Sequence, residues 1–414
     1  MSAPSTTPAR SGARRLSETE FVALMALIFA LLALSIDSML PAFPDIAAQL
    51  TPEAPNRAQL ILSVFILSMG VGTLFTGPLS DAFGRKPVIT AGIAIYILGA
   101  LLAWHAPTLD TLLMARALQG LGAGAPRVVG TAMVRDIYEG RRMAQVTSFV
   151  MTVFMLVPAV APSMGQLVIS GFGWRAIFVV FVLFGLVAGL WLNLRQPETL
   201  PPSQRRKFRV TALRAALGEV LRNRLAMRYI LVLTLGFGTL FTLITSIQPI
   251  YDQTFGKAGS FPLWFMAGAV ISSSGTVLNG LLVMRLGMRL LATLAFAALF
   301  MLSLCYALAV WMNIIPQSLA FALFFLWSTG TFFLNGMVFG NLNALALQPL
   351  GHIAGMAASM IAAFSTIGSA LLSVPFALAF DGTPMPLLLA SVLFSGISWL
   401  LMQGSRHAAE SPQG

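Results

Sequence analysis

The chain has 414 residues, of which 57% are hydrophobic and only 9% are charged. Soluble domains carry about 25% charged residues, so this composition excludes an ordinary globular enzyme and a disordered chain and indicates an integral membrane protein. Lys and Arg residues that flank membrane spans account for the net charge of +11, so no nucleic-acid partner is needed to explain it. One cysteine and three widely spaced histidines give no metal-ligand pattern.

Long stretches without Asp, Glu, Lys or Arg recur along the whole chain. One bilayer crossing needs about 20 apolar residues. Residues 21–44 contain a single charge, Asp37, and residues 111–134 contain only Arg116 and Arg127. Uncharged runs cover residues 58–80, 87–109, 143–174, 176–194, 229–251, 258–284 and 382–405. Residues 290–380 carry no charge and are long enough for three spans, so the sequence predicts twelve transmembrane helices.

The distribution of cations predicts the orientation of these spans. Lys and Arg near span ends stay on the cytoplasmic side, and 20 of the 25 fall there if the N-terminus is cytoplasmic. The longest polar stretch separates two groups of six spans. We predict, in chain order, a cytoplasmic tail (1–19), a six-helix bundle (20–195), a basic linker (196–227), a second six-helix bundle (228–404) and a cytoplasmic tail (405–414).

The linker and an internal repeat support this division. Linker residues 211–226 can form a helix that turns Arg214, Arg222 and Arg224 toward anionic lipid head groups. A solvated basic connection is one interpretation of the linker, and a lipid-sensing segment is the other. Gly77, Gly84 and Lys86 recur as Gly280, Gly287 and Arg289, each 203 residues later. Two parallel six-helix repeats are a transporter architecture, with the substrate between the halves.

Asp37 is the only acid that lies well inside a predicted span. An ionised carboxylate at that depth costs at least about 2.5 kcal/mol unless it is paired or hydrated, so an intramembrane acid is a functional candidate. We predict that Asp37 carries the coupling proton and that Arg116 modulates it. For Asp37 the alternatives are a cap for the helix break before Pro41 and a direct ion pair with a cationic drug. For Arg116 the alternative is a side chain that extends to the outer membrane interface.

Several motifs resemble the major facilitator superfamily, and within it the drug:proton antiporters of the bicyclomycin and chloramphenicol resistance (Bcr/CflA) type. The Bcr/CflA pattern is resembled by Ile36–Pro41 in span one, Val134–Arg141 after span four and Ala346–Gly355 before span eleven, and with these the similarity covers roughly residues 20–404. The motifs are Gly77-Pro78-Leu79-Ser80-Asp81-Ala82-Phe83-Gly84-Arg85-Lys86-Pro87 after span two, Arg116-Ala117-Leu118-Gln119-Gly120 in span four, and Val157-Pro158-Ala159-Val160-Ala161-Pro162-Ser163-Met164-Gly165 in span five. The last lacks one glycine that is usual in the antiporter signature.

The resemblance implies an all-α membrane protein with twelve transmembrane helices arranged as two parallel six-helix bundles, the major facilitator fold. It implies a conformational latch formed by Gly77, Asp81, Gly84, Arg85 and Lys86. Asp81 is expected to hold the two halves together in the outward-facing state, against the start of span eleven near Gly351.

The resemblance also suggests export and a substrate cavity. Pro158, Pro162 and Gly165 are expected to kink helix five in an exporter, although a kink that serves packing alone is the alternative. Spans one, four, seven and ten line the cavity in this superfamily. They nominate Asp37, Met39, Arg127, Phe241, Gln248, Trp327 and Asn335 as substrate-binding residues. Helix packing is the alternative for Met39, Phe241, Gln248, Trp327 and Asn335, and a structural pairing with polar backbone is the alternative for Arg127.

The predicted function is proton-coupled efflux of small lipophilic drugs, such as chloramphenicol- or bicyclomycin-like compounds, across the bacterial inner membrane by alternating access. The alternative is an exporter or proton symporter of a small metabolite such as an amino acid or sugar. No cofactor or enzyme activity is expected, because no catalytic constellation is present, and the proton gradient supplies the energy. The expected partners are the drug or metabolite, protons and anionic lipids, and a monomer is expected because one chain contains both halves.

Overall fold

The computed structural model describes residues 16–206 and 208–410, and the secondary structure of these residues is helical. Parts of the predicted tails and Lys207 of the linker lie outside the described residues. The α-helices are α1 (Glu18–Asp37), α2 (Phe43–Leu50), α3 (Leu60–Phe83), α4 (Arg85–Trp104), α5 (Leu109–Ile137), α6 (Gly140–Phe172), α7 (Ala176–Arg195), α8 (Val210–Arg222), α9 (Arg224–Pro249), α10 (Phe261–Leu286), α11 (Met288–Trp311), α12 (Gln317–Leu347), α13 (Ala354–Leu378) and α14 (Met385–Glu410).

Ten helical segments among the described residues are long and apolar enough to cross a membrane. One of them, Gln317–Leu378, contains both α12 and α13, which are joined by a 3₁₀ turn at Gln348–Ile353. Helix α5 is not among the ten, because Arg116, Arg127 and four glycines make it less apolar than its neighbours. With α5 included, the described chain has twelve membrane-length helices, in agreement with the predicted all-α fold.

Span one is broken in its middle. Helix α1 ends at Asp37, a 3₁₀ turn follows at Leu40–Ala42, and α2 continues the span. Pro41 is the second residue of the turn and Pro44 is the second residue of α2, and in the first turn of a helix a missing N–H breaks no helical hydrogen bond. The break therefore places Asp37 at a helix end and not inside a continuous helix.

The two halves of the chain are α1–α7 and α9–α14. Gly84 and Gly287, the glycines matched by the internal repeat, occupy the same position in their halves, between the second and third long helices. Both have positive φ, 106° and 77°, which glycine adopts without strain. The repeated residues thus form the same sharp turn twice.

Glycines also set how closely the helices approach. A Cβ at Gly120 would enter the backbone of Phe65 in α3, and a Cβ at Gly122 would enter α4 at Gly92 and Tyr96. Small residues of this kind let membrane helices pack backbone to backbone. Helix α5 is therefore the central packing element of the first half.

The halves meet mainly along α3 with α13 and along α6 with α10. Residues 196–223 connect them at one end of the bundle, here called the linker face, and the other end is called the opposite face. The predicted linker helix over 211–226 is shorter than expected. It ends at Arg222, because Asn223 caps α9 by accepting a hydrogen bond from the N–H of Ala226 at 3.0 Å, and Arg224 belongs to α9.

Candidate functional site: the break in span one and its surroundings

Asp37 is buried, with 5% of its surface exposed, at the end of α1. Among the described residues, its carboxyl group makes no hydrogen bond or ion pair. Its neighbour Ser38 is fixed, because Ser38 Oγ donates to the carbonyl of Leu34 at 2.6 Å. The site thus holds an acid without a partner beside a rigid turn. Such a carboxyl group is accommodated more easily when protonated than when ionised.

Gly165 of α6 closes this site from one side. A Cβ at Gly165 would enter the backbone of Ser38, so only glycine allows α6 to lie this close to the break. Pro158 and Pro162 lie inside α6, where each removes a backbone hydrogen bond. The structure therefore brings the predicted helix-five residue Gly165 and the predicted proton carrier Asp37 into the same region.

Arg116 lies entirely inside the first half. Its Nη2 donates to the Ser35 carbonyl at 3.0 Å and its Nη1 to Gln119 Oε1 at 2.6 Å, and its guanidinium lies 4.2 Å from the centre of the Phe65 ring. A buried guanidinium needs such partners. The structure does not join Arg116 to the carboxyl group of Asp37. Arg116 is instead bonded to the backbone carbonyl of Ser35, two residues before Asp37.

Arg127 lies on the same face of α5 as Arg116. A separation of eleven residues is three turns, so the two side chains point within about 20° of each other and lie about 16 Å apart along the helix. Arg116 is buried on this face whereas Arg127 is exposed. The outer side of α5 carries the exposed Met114 and Leu121 instead.

The remaining predicted substrate residues are distributed over several places. Met39 is fully buried at the break, and Phe241 is stacked on Phe237 with ring centres 5.8 Å apart. Gln248 lines a cavity of about 390 Å³ at the opposite face. The structure therefore does not gather the predicted substrate residues around one cavity.

Two predicted substrate residues of α12 have polar groups engaged inside the second half. Trp327 is buried and its Nε1 donates to Ser303 Oγ at 3.1 Å. Asn335 Nδ2 donates to the Thr331 carbonyl at 2.9 Å, while its Oδ1 is buried without a partner. In this conformation Trp327 packs between helices of its own half, and only Asn335 keeps a free polar atom.

The predicted latch residues form an ion-pair cluster at the linker face. Arg85 pairs with Asp81 at 2.5 Å and with Asp136 at 2.9 Å, and its Nη1 donates to Ser80 Oγ at 2.8 Å. All four residues belong to the first half. In this conformation the partner of Asp81 is therefore Arg85 and not the start of span eleven, whereas the residue that approaches span eleven is Gly77. A Cβ at Gly77 would lie 2.5 Å from Ser359 Oγ.

Glu198 belongs to this cluster as well, and the sequence reasoning missed it. Its carboxylate accepts hydrogen bonds from the backbone N–H of Arg85 at 2.9 Å and of Lys86 at 3.2 Å. These are the first two residues of α4, so Glu198 neutralises the positive end of that helix. Thr199 Oγ1 adds a bond to Asp136 Oδ2 at 3.1 Å. The start of the linker is therefore fastened to the latch loop.

Twelve membrane-length helices in two halves, with an acid at a break in the first span, are typical of a multi-pass membrane transporter. The sequence model of the Major Facilitator Superfamily matches residues 25–373. The chain belongs to this superfamily, whose members carry small-molecule substrates, and the family prediction made from the motifs is confirmed.

Similar proteins include named drug-resistance proteins. The chain is 29% identical over 344 residues to the bicyclomycin resistance protein homolog of Haemophilus influenzae, covering 82% of this chain and 84% of that one. It is 26% identical over 382 residues to multidrug resistance protein D of Escherichia coli, covering 87% and 89%. These relatives agree with the predicted drug-antiporter type.

Solved structures show the same fold. The xylose transporter XylE of E. coli, in a partially occluded inward-open conformation, has a TM-score of 0.73 at 12% identity, covering 94% of this chain and 97% of that one. The human organic anion transporter MFSD10 has a TM-score of 0.62 at 19% identity, covering 94% and 99%. At these identities the likeness concerns the fold alone.

Proposed function

We propose that this chain exports small lipophilic drugs across the bacterial inner membrane in exchange for protons. The observation that carries the proposal is the buried carboxyl group of Asp37, which has no partner in the described chain and lies at a helix break. The drug-resistance names of two relatives support the cargo class. The proton gradient is the energy source, and no cofactor takes part.

The orientation follows from charge. The linker face carries the cations of the linker, so we place it in the cytoplasm together with both termini. Helix α8 presents Arg214 and Arg222 there toward anionic lipids. One chain supplies both halves, so the monomer is the transporting unit.

The coupling follows from the cost of an unpaired charge. An ionised Asp37 costs at least about 2.5 kcal/mol in a closed bundle, because nothing in the described chain compensates it. The protonated form avoids this cost, so the empty carrier changes orientation with its proton bound. When the cavity is open to the cytoplasm, water or a drug with a hydrogen-bond donor stabilises the carboxylate and the proton leaves inward.

The loaded carrier then opens to the periplasm. There a proton returns to Asp37, the drug loses its charged partner, and it dissociates. Arg116 acts as a positioning residue in this cycle, since its bond to the Ser35 carbonyl fixes the end of α1 and its positive charge stays within the same half. The step balances as one proton inward for each drug outward if Asp37 is the only group that titrates.

The test is transport in proteoliposomes with an imposed pH gradient. Chloramphenicol, a lipophilic cation and an amino acid are supplied to the wild type, to Asp37→Asn and to Asp45→Asn. Asp45 is an exposed acid of α2 eight residues later and serves as the matched control. Gradient-driven accumulation of the drugs that disappears only in Asp37→Asn is expected.

Two results would contradict the proposal in different ways. Accumulation that persists in Asp37→Asn would remove Asp37 as the proton carrier. Transport of the amino acid alone would make the chain a metabolite carrier.

A further inference from the structure

We propose that the cavity at the opposite face is a second, outer binding site for the cargo, occupied on the way out. The cavity measures about 390 Å³. It is lined by Phe43, Pro44, Ala47, Ala48, Pro52, Pro55, Asn56, Ala58 and Gln59 of the first half and by Gln248, Pro249, Asp252 and Gln253 of the second. The inference rests on the proposed function for the identity of the cargo, whereas the existence of the site does not depend on it.

Polar side chains without partners converge on this cavity. Gln59 is 2% exposed, and both its Oε1 and its Nε2 are closed off from solvent without a hydrogen bond. Gln248, 3% exposed, and the half-buried Asp252 also have side chains without a hydrogen bond in the described chain. A buried polar group left unpaired costs about 1–3 kcal/mol. Of these three side chains, only Gln59 has polar atoms closed off in this way, whereas the polar atoms of Gln248 and Asp252 stay accessible where they line the cavity. A ligand in the cavity would give these accessible groups partners.

The lining defines the chemistry of that ligand. The two glutamine amides offer N–H donors and carbonyl acceptors, and the carboxylate of Asp252 accepts from a hydroxyl, an amide N–H or an ammonium group. Phe43 and the prolines supply apolar walls. A cavity of this size is at the small end of the range for drug-sized ligands. The site therefore fits a small apolar molecule that carries both a donor and an acceptor.

The position of the cavity gives it a role in release. Its floor, at Phe43, Gln59 and Gln248, is buried, whereas its rim, at Ala48 and Gln253, is exposed. The two glutamines of the floor come from different halves. Separating the halves at the opposite face would pull Gln59 away from Gln248 and weaken the site. A molecule bound there is held while this face is closed and released as it opens.

Protection of an engineered cysteine tests the site directly. Cys305, the only native cysteine, is first replaced by serine. Ala48→Cys then places a thiol on the rim, and Gln317→Cys places a control thiol at the exposed start of α12 on the same face. Both proteins are reconstituted in nanodiscs and labelled with a hydrophilic maleimide, with and without saturating chloramphenicol, the lipophilic cation or the amino acid of the transport test.

We expect chloramphenicol or the lipophilic cation to slow labelling of Ala48→Cys at least fivefold and to leave Gln317→Cys unchanged. Adding Gln59→Leu should abolish this protection. Asp252→Asn, a conservative change at the half-buried wall, should reduce the protection. This variant provides the test if Gln59→Leu does not fold.

Labelling of Ala48→Cys that none of the three compounds slows overturns the outer site, whatever transport shows. Protection by the amino acid alone keeps the outer site and overturns the proposed drug cargo. Protection that survives both Gln59→Leu and Asp252→Asn overturns the assignment of these groups as the ligand contacts. Failure of the proposed function is seen separately, as transport without dependence on Asp37.

Discussion

Asn56 holds the opposite face closed through two hydrogen bonds that cross between the halves. Its Nδ2 donates to the carbonyl of Phe380 at 2.6 Å and to that of Leu378 at 3.1 Å, at the end of α13. Asn56→Ala removes both bonds and leaves the backbone unchanged. We expect this variant to populate conformations with an open opposite face more than the wild type does.

The magnitude follows from the number of bonds. A hydrogen bond of this kind contributes about 0.5–1.5 kcal/mol net, so two contribute about 1–3 kcal/mol. A free energy of that size shifts a two-state equilibrium about 5- to 150-fold. Pulsed electron paramagnetic resonance measures the shift, with spin labels on Glu53→Cys and Gln317→Cys in the Cys305→Ser background. The distance distribution should gain a longer component.

Asn193→Ala is the matched control. Asn193 Nδ2 also donates twice, to Thr90 Oγ1 at 3.0 Å and to the Gly189 carbonyl at 2.8 Å, but both acceptors belong to the first half. Its distance distribution should match that of the wild type. A distribution for Asn56→Ala that also matches the wild type would refute the assignment of these bonds to closure.

Other substitutions have expected outcomes as well. Gly165→Ala should lower the unfolding temperature and slow transport, because overpacking against Ser38 costs about 1–3 kcal/mol. Gly171→Ala is the control in the same helix, because a Cβ at Gly171 would meet nothing within 4 Å. Equal changes in the unfolding temperatures of the two variants would contradict the packing argument. Glu198→Ala leaves the backbone N–H groups of Arg85 and Lys86 without an acceptor, so the free energy of unfolding should fall by about 1–3 kcal/mol. Trypsin should then cleave the linker faster; unchanged cleavage would show that Glu198 does not fasten the linker. His352→Ala should change the free energy of unfolding by less than about 0.5 kcal/mol, because His352 pairs with Glu219 at the surface, where 65% and 42% of their side-chain areas are exposed. A loss above about 1 kcal/mol in chemical denaturation would contradict this prediction.

The helices were predictable because charge marks their ends. Even α5, whose composition is less apolar than that of the other spans, was recognised as a span, since only Arg116 and Arg127 interrupt residues 111–134. The break after Asp37 was also readable, because Pro41 cannot continue the hydrogen bonding of α1. These features depend on local sequence alone.

The contacts of the latch loop were not predictable in the same way. Arg85 meets Asp136 across 51 residues of chain, and Glu198 meets the N–H of Arg85 across 113. No local pattern encodes these distances. The face that Trp327 presents to its neighbours was likewise hidden, because apolar residues surround α12 and its polar residues, such as Thr331 and Asn335, are buried as well, so the sequence gives no preferred direction.

The position of Asp37 in the chain explains how one carboxyl group can respond to both halves. Helix α1 is fixed in the first half at both ends, by the ion pair of Glu20 with Arg195 at 2.8 Å and by the bond from Arg116 to Ser35. Beyond the break, α2 contacts α9 of the second half. Asp37 therefore lies between a segment that belongs to one half and a segment that touches the other. The 3₁₀ turn at Leu40–Ala42 and α2 contact both the first half and α9, so a movement of the halves changes the contacts of the residues that follow Asp37. In the proposed cycle this change is what alters the surroundings of the carboxyl group.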